Sequence, residues 1–373
     1  MKMYNLKTAF MLGATIFILL GSETVSFAQE DTYVVARKRV ISLTPVYQRW
    51  TNPDKSDISQ ISTLAYAYLP FGRSLGFTLR GNQASTDGDN INRLNSFTDL
   101  QLGLSYRLPS SNFVLTLGLN FPTGLTGLTR EEFATSALVS INQFNFRTTN
   151  FGQGLNVTPG ISWATPLSDR VVLGLGASYL FKGDYKPLES MTDNYGPGDE
   201  VAFTAGLDFL LDRTTNLTAD IIVNVYGRDL LAGEEVFESG AKIVANIQFR
   251  KLFGFNELWF MAMYRNKAKN NLAVGGEFVP EALKVTPNQL ALFGRYRLRL
   301  AQAFGLGFLG EIRAYEESSV FSQINLVGVG IAPEIIFSNS FRIPFEFKYY
   351  TGSVENDNAM TGVETRMGLS FGF

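Results

Sequence analysis

The amino-acid sequence predicts an all-β fold: a transmembrane antiparallel β-barrel of about sixteen strands, with short turns at one end and long loops at the other. Three observations predict it. Oily and polar residues alternate with a period of two in stretch after stretch of roughly ten residues, the length a tilted membrane strand needs. The breaks between the stretches alternate short and long. The chain also opens with an export segment.

That segment comes first in the chain. Lys2 and Lys7 precede an apolar run from Ala9 to Leu20, and Ser26-Phe27-Ala28 gives a small-x-small cleavage pattern before Gln29. Residues 1–28 therefore read as a signal peptide, too short and wrongly flanked for a spanning helix, and 29–39 as a short periplasmic segment before a barrel of 40–373. The chain has no Cys, which removes disulfides and thiolate chemistry, and no His, the commonest general base and metal ligand. A formal net charge of −2 argues against nucleic acid as a partner.

Strands are expected at 40–50, 58–69, 74–83, 97–108, 113–122, 155–165, 171–182 and 200–211, and then at 215–226, 241–250, 257–266, 288–300, 303–315, 323–337, 341–351 and 362–373. Merging one weak hairpin would give fourteen. Pro70–Arg73, Pro109–Asn112, Pro166–Arg170, Asp212–Thr214, Lys251–Asn256, Ala301–Gln302 and Ser338–Ser340 are tight and rich in turn residues. The other connections are mostly longer and polar, notably 84–96, 123–154, 183–199, 227–240, 267–287 and 352–361. Short turns belong to the periplasmic end, so both termini fall there.

The pattern also selects its own register. In stretch 97–108, Leu100, Leu102, Leu104, Tyr106 and Leu108 face lipid, while Asp99, Gln101, Ser105 and Arg107 face inward. In 341–351, Ile343, Phe345, Phe347 and Tyr349 face out and Arg342, Glu346 and Lys348 in. The last stretch puts Val363, Thr365, Met367, Leu369, Phe371 and Phe373 on its oily side and Glu364 and Arg366 on the other. A lipid-facing cation at the midplane costs about 2–4 kcal/mol, which excludes the opposite register. Glycines within strands, such as Gly174 and Gly176 or Gly328 and Gly330, suit barrel curvature or close approach of a plug.

Within the longest loop, Thr129-Arg130-Glu131-Glu132 is a capping box, and Phe133, Ala137, Leu138 and Ile141 follow at helical spacing. A short helix from Arg130 to about Gln143 is expected, lying either on the outer rim or inside the lumen. If it turns inward, Glu131, Glu132, Phe133 and Ile141 are candidates for a constriction.

The candidate pore-lining residues are a ladder of Arg295, Arg297 and Arg299, with Arg313, Arg342, Lys348 and Arg366 nearby and Glu311, Glu346 and Glu364 to offset them. Two readings stay open. The loop acids and the ladder could set a transverse field that selects solutes, or the arginines could pair with those three glutamates to satisfy lumen charge. Without His or a Gly-rich phosphate loop, no catalytic centre, cofactor or metal centre is expected, although Asp87 with Asp89 and Glu316 with Glu317 offer weak calcium sites.

Phe121-Pro122-Thr123-Gly124, Gly176-Ala177-Ser178-Tyr179 and Tyr195-Gly196-Pro197-Gly198-Asp199-Glu200 resemble the P-T-G and P-G-D elements of the outer-membrane family linked to meta-pathway phenol degradation, a relative of the FadL-type transporters. The resemblance covers about 115–211 and implies a monomeric barrel that takes up small hydrophobic or aromatic molecules. Two departures are plain: about eleven residues precede the first strand, too few for the plug of FadL-type proteins, and the arginine ladder is porin-like. The C-terminal Phe373 after an alternating strand resembles the signature read by the barrel assembly machinery. The expected function is passive uptake of small hydrophobic or aromatic solutes across the outer membrane. The alternatives are a diffusion porin with weak anion preference and a structural or adhesive barrel.

Overall fold

The computed structural model describes residues 39–373 except 110, 142, 321, 339 and 355–357. The expected signal peptide and all but the last residue of 29–39 lie outside the described residues. The strands are β1 (Val40–Thr51), β2 (Asp57–Phe71), β3 (Leu75–Gly88) and β4, which is broken into Ile91–Phe97 and Leu100–Arg107. Then come β5 (Phe113–Phe121), β6 (Asn156–Ser168), β7 (Val171–Lys182) and β8 (Glu200–Leu210). Next are β9 (Thr215–Tyr226), β10 (Lys242–Phe253), β11 (Asn256–Lys267) and β12 (Gln289–Ala301). Last are β13 (Phe304–Tyr315), β14 (Ile324–Ile336), β15 (Phe341–Val354) and β16, broken into Asn358–Met367 and Leu369–Gly372.

Each strand pairs antiparallel with the next, and β16 returns to β1 through registers such as Trp50↔Gly362 and Ile41↔Phe371. The sixteen-strand ring is closed, which leaves no edge with unpaired N–H and C=O groups. Large apolar side chains then cover its outside: Phe203 and Ile247 are each 55% exposed and Val329 60%. Such a surface far exceeds what a water-soluble monomer shows, and it fits an outer-membrane-type barrel in lipid. At the short-turn end Phe337, Phe341, Phe371 and Phe373 form a chain of ring contacts with centroids 5.2 to 6.3 Å apart, an interfacial aromatic girdle. No helix among the described residues is long and apolar enough to cross a membrane.

Two expectations about loops are corrected. Residues 84–96 form no loop but the tip of a longer hairpin, because β3 runs on to Gly88 and the upper half of β4 starts at Ile91. Connections 183–199, 227–240 and 267–287 supply a second, five-stranded sheet at the long-loop end, made of Tyr195–Gly196, Arg228–Leu231, Glu234–Glu238, Asn271–Val274 and Glu277–Pro280. There burial and the Asp229 carboxylate, which accepts a hydrogen bond from its hydroxyl, hold the Tyr195 phenol well above its ordinary range.

Inside the ring, large side chains sit over glycines on the neighbouring strand. A Cβ at Gly362 would collide with the Trp50 indole, and one at Gly328 with the Tyr350 ring. Both pairs are direct register partners, so small residues make room for inward aromatics. Ile247 lies near the middle of β10 on the outer face. Ile247→Lys should lower stability by about 2–4 kcal/mol in urea-mediated folding into lipid vesicles, and a change below about 0.5 kcal/mol, as for an ordinary surface site, would show that this face is not in lipid.

Candidate functional site

Loop 123–154 folds into the barrel, and three sets of contacts fix it there. At its base, Asp99 lies in the break within β4. Its Oδ1 accepts from the Gly124 N–H at 2.9 Å, and its Oδ2 accepts from the Gln153 N–H at 2.8 Å and from Asn120 Nδ2 at 2.9 Å. One carboxylate thus ties the leaving and returning legs together. Gly124 has to be glycine, since a Cβ there would strike the Phe151 carbonyl.

Higher in the lumen two glutamines clamp the loop backbone. Gln48 donates to the Asn145 carbonyl at 2.9 Å and accepts from the Arg147 N–H at 3.0 Å. Gln60 donates to the Thr148 carbonyl at 2.8 Å and accepts from the Thr148 N–H at 3.0 Å. Gln48 and Gln60 are direct partners on β1 and β2, so the wall meets the loop with a row of side-chain amides and satisfies buried backbone groups that water cannot reach. Beside them the Arg147 guanidinium pairs with Glu364.

Above this polar row the loop supplies an apolar plug. Val139, Phe144 and Phe146 pack with Trp50, Tyr315, Tyr350 and Met360 of the wall. The helix α1 (Arg130–Ser140), capped at Ile141, stops slightly short of the expected end near Gln143, and it rests on the upper half of β4, where Thr135 Oγ1 donates to the Asn92 carbonyl at 2.8 Å.

A cavity of about 1030 Å³ remains. At the short-turn end it touches β1, β12, β15 and β16; toward the long loops it continues along β7 to β10, beside α1. Its lining carries eight cations (Arg80, Arg147, Lys182, Lys242, Arg297, Arg299, Arg342 and Arg366) and two carboxylates (Asp99 and Glu200) among the described residues.

The predicted site residues divide into three groups. Arg297, Arg299, Arg342 and Arg366 line the cavity, as does Phe133 of the loop. Glu311, Arg313, Glu346 and Lys348 lie in the wall under the loop: Arg313 pairs with Glu311, and Lys348 Nζ is 2.7 Å from Glu346 and 3.5 Å from Glu311. Arg295 points inward at Glu257, 3.8 Å away.

Two expectations fail. The loop acids do not face the ladder: Glu132 accepts from the Thr129 N–H at 2.9 Å and is spent on the capping box, Glu131 is exposed beside it at the helix start, and Ile141 is buried. Nor are Glu311, Glu346 and Glu364 the ladder's partners among the described contacts: Arg297 pairs with Glu334 and Arg295 with Glu257, while Arg299 donates to the Ala301 and Gln302 carbonyls. Strand neighbours set these partners, and sequence spacing does not display which residues are neighbours across a ring.

Sequence reading missed Gln48, Gln60, Arg147, Lys182 and Lys242. The lysines stand at the ends of expected strands, Gln48 and Gln60 carry no pattern that sets them apart from other polar strand residues, and nothing in 142–150 marks Arg147 as the loop's contact with the wall.

No family model matches the sequence, and no curated protein does. Solved structures similar to this chain include the CymD monoaromatic hydrocarbon channel, at 12% identity over 90% of this chain and 88% of that one with a TM-score of 0.43. OpdQ of Pseudomonas aeruginosa is similar at 10% identity over 90% and 98%, TM-score 0.45, and OccK5 (OpdH) of the same organism at 10% over 90% and 98%, TM-score 0.46. The barrel assignment rests on the closed ring of strand pairings and not on these likenesses.

Replacing both clamps, Gln48→Leu with Gln60→Leu, strands buried backbone groups at an expected cost of about 1–3 kcal/mol each. Single-channel conductance in planar bilayers should rise, and trypsin should cut after Arg147. Parent-like conductance together with an uncut loop would mean that the plug holds without the clamps.

Proposed function

We propose that this protein is a passive outer-membrane channel for small organic anions. The observation that carries the reading is the position of the charges. Arginines and lysines line the cavity, whereas Glu334 and Glu364, which balance several of them, are 8% and 1% exposed and stand behind them. Arg80 lies over the Tyr66 ring at 5.2 Å, and Arg299 is held by backbone carbonyls, so among the described residues no carboxylate is paired with either. Glu200, which also lines the cavity, lies 3.9 Å from Lys182, but with eight cations to two carboxylates in the lining a solute still meets net positive potential from Lys242 near the outer end to Arg299 near the inner one, and such a lining selects by sign.

The apolar part of the lining, which includes Leu64, Leu102, Leu119, Ile222 and Val244, favours solutes with a hydrophobic or aromatic body. This supports the substrate class that the motif resemblance implies, here in carboxylate form. Membership of the FadL-related family is part of the same proposal and rests on those short motifs. Recognition of the terminal strand by assembly machinery is likewise proposed, from Phe373 at the exposed girdle.

Under a KCl gradient in planar bilayers, the reversal potential should have the sign of chloride preference. Arg297→Gln with Arg299→Gln should move it toward zero, and the preference should fade near 1 M salt, where the screening length falls to about 3 Å. Reconstituted vesicles should take up an aromatic carboxylate faster than its neutral amide. Cation preference, or equal uptake of both compounds, would reject the reading.

A further inference from the structure

On the inner face of β8, β9 and β10 the strand register gathers an oxygen-rich group away from the basic lining. Asp208 stands opposite Thr218 and Gly206 opposite Asp220, which makes the two aspartates diagonal neighbours on one face, at a spacing of about 7 Å. Asn246 of β10 stands directly opposite Asp220. Asp208 and Asn246 are each 1% exposed.

The hydrogen bonding of the group is incomplete. Asp208 Oδ1 accepts from Thr218 Oγ1 at 3.1 Å and the Asn216 amide lies against the carboxylate, but Oδ2 makes no well-formed hydrogen bond. Neither the Oδ1 nor the Nδ2 of Asn246 has one, nor does Asn216 Oδ1 beside Asp208. Among the described residues no arginine or lysine acts on either aspartate, Arg250 opposite Asn216 being turned to Glu257. Glu257, Glu311 and Glu334 on the same inner face are paired with cations, and Asp99 is held by three N–H donors. An uncompensated buried carboxylate is strongly unfavourable, so the arrangement calls for a missing positive charge.

We propose that Asp208, Asp220 and Asn246, with Thr218 and Asn216, bind a hard divalent cation, calcium. The available donors are carboxylate, amide and hydroxyl oxygens; there is no nitrogen or sulfur ligand of the kind zinc prefers. Calcium accepts six to eight oxygens at about 2.3–2.6 Å in loose geometry and so tolerates ligands drawn from three strands, whereas magnesium demands a near-ideal octahedron. Bound there, the ion cross-links β8, β9 and β10 and cancels the aspartate charge. The inference does not rest on the anion reading of the channel.

The test is calorimetric titration of chelator-treated, detergent-purified protein with CaCl2, alongside thermal unfolding with and without CaCl2. The parent should bind calcium and unfold at a higher temperature with it. Asp208→Asn with Asp220→Asn should bind at least ten-fold more weakly and lose the thermal shift. Asn246→Leu, which changes no charge, should weaken binding while the barrel folds, and it serves if the double variant does not fold. Calcium binding that survives in the double variant would place the ion on the loop acids and overturn the proposal. Parent protein that ignores calcium while its stability follows the protonation of the pair would overturn it in favour of a shared proton, and unchanged binding in Asn246→Leu would also count against it.

Discussion

A backbone amide inside a bilayer has no water to bond with, and from that constraint the rest of this molecule follows. A sheet can satisfy every such group only by closing on itself, and the β16–β1 pairing does so. Closure then divides the side chains by parity. One set meets lipid and must be apolar, as Phe203, Ile247 and Val329 are; the other is confined to a lumen where polar and charged groups must find partners or water. The polar half of each strand is therefore what determines function, and the apolar half determines only that the strand can be there.

A lumen framed by sixteen strands is wide enough to need filling, and the filling is asymmetric. Loop 123–154 lies against the side formed by the outer ends of β1, β2 and β13 to β16, where Trp50, Tyr315 and Tyr350 receive its aromatic plug. It leaves the β7–β10 side to the cavity. The hydrogen bonds of Gln48 and Gln60 matter out of proportion to their number. Each glutamine supplies both a donor and an acceptor to the loop backbone, so losing one leaves groups on both sides of the contact unmet.

Much of the barrel was legible in sequence because period-2 alternation reports the lipid face directly, and a charge on the wrong face is costly enough to exclude the shifted register. All sixteen strands and the capping box at Thr129 and Glu132 are of this kind. The upper half of β4 was not legible, since Ile91–Phe97 stands above the membrane belt, where alternation is no longer enforced. The loop's placement was open because its anchors are long-range pairs, separated by 97 and 88 residues for the two glutamines. The resemblance motifs turn out to carry local structure. Gly124 closes the loop base, and Asp199 accepts from the Tyr179 hydroxyl and the Lys182 N–H at the top of β7. Residues with such duties are required by the turn geometry whatever solute passes, which is why they say less about substrate than the side chains facing the cavity.

The formal charge of −2 conceals the separation that gives the lumen its character. Arg297 and Arg342 both reach Glu334, and Arg147 and Lys348 both reach Glu364, so in each case two cations share one acid. An acid at the wall with guanidiniums between it and the water orients those guanidiniums and supports their charge without presenting its own. Asp208 and Asp220 break this rule on β8 and β9: they are inward acids with no basic group in front of them. Where Asp99 has three N–H donors and Glu257, Glu311 and Glu334 have cations, an unbalanced pair beside an unsatisfied asparagine is a requirement for positive charge that the described residues leave unmet.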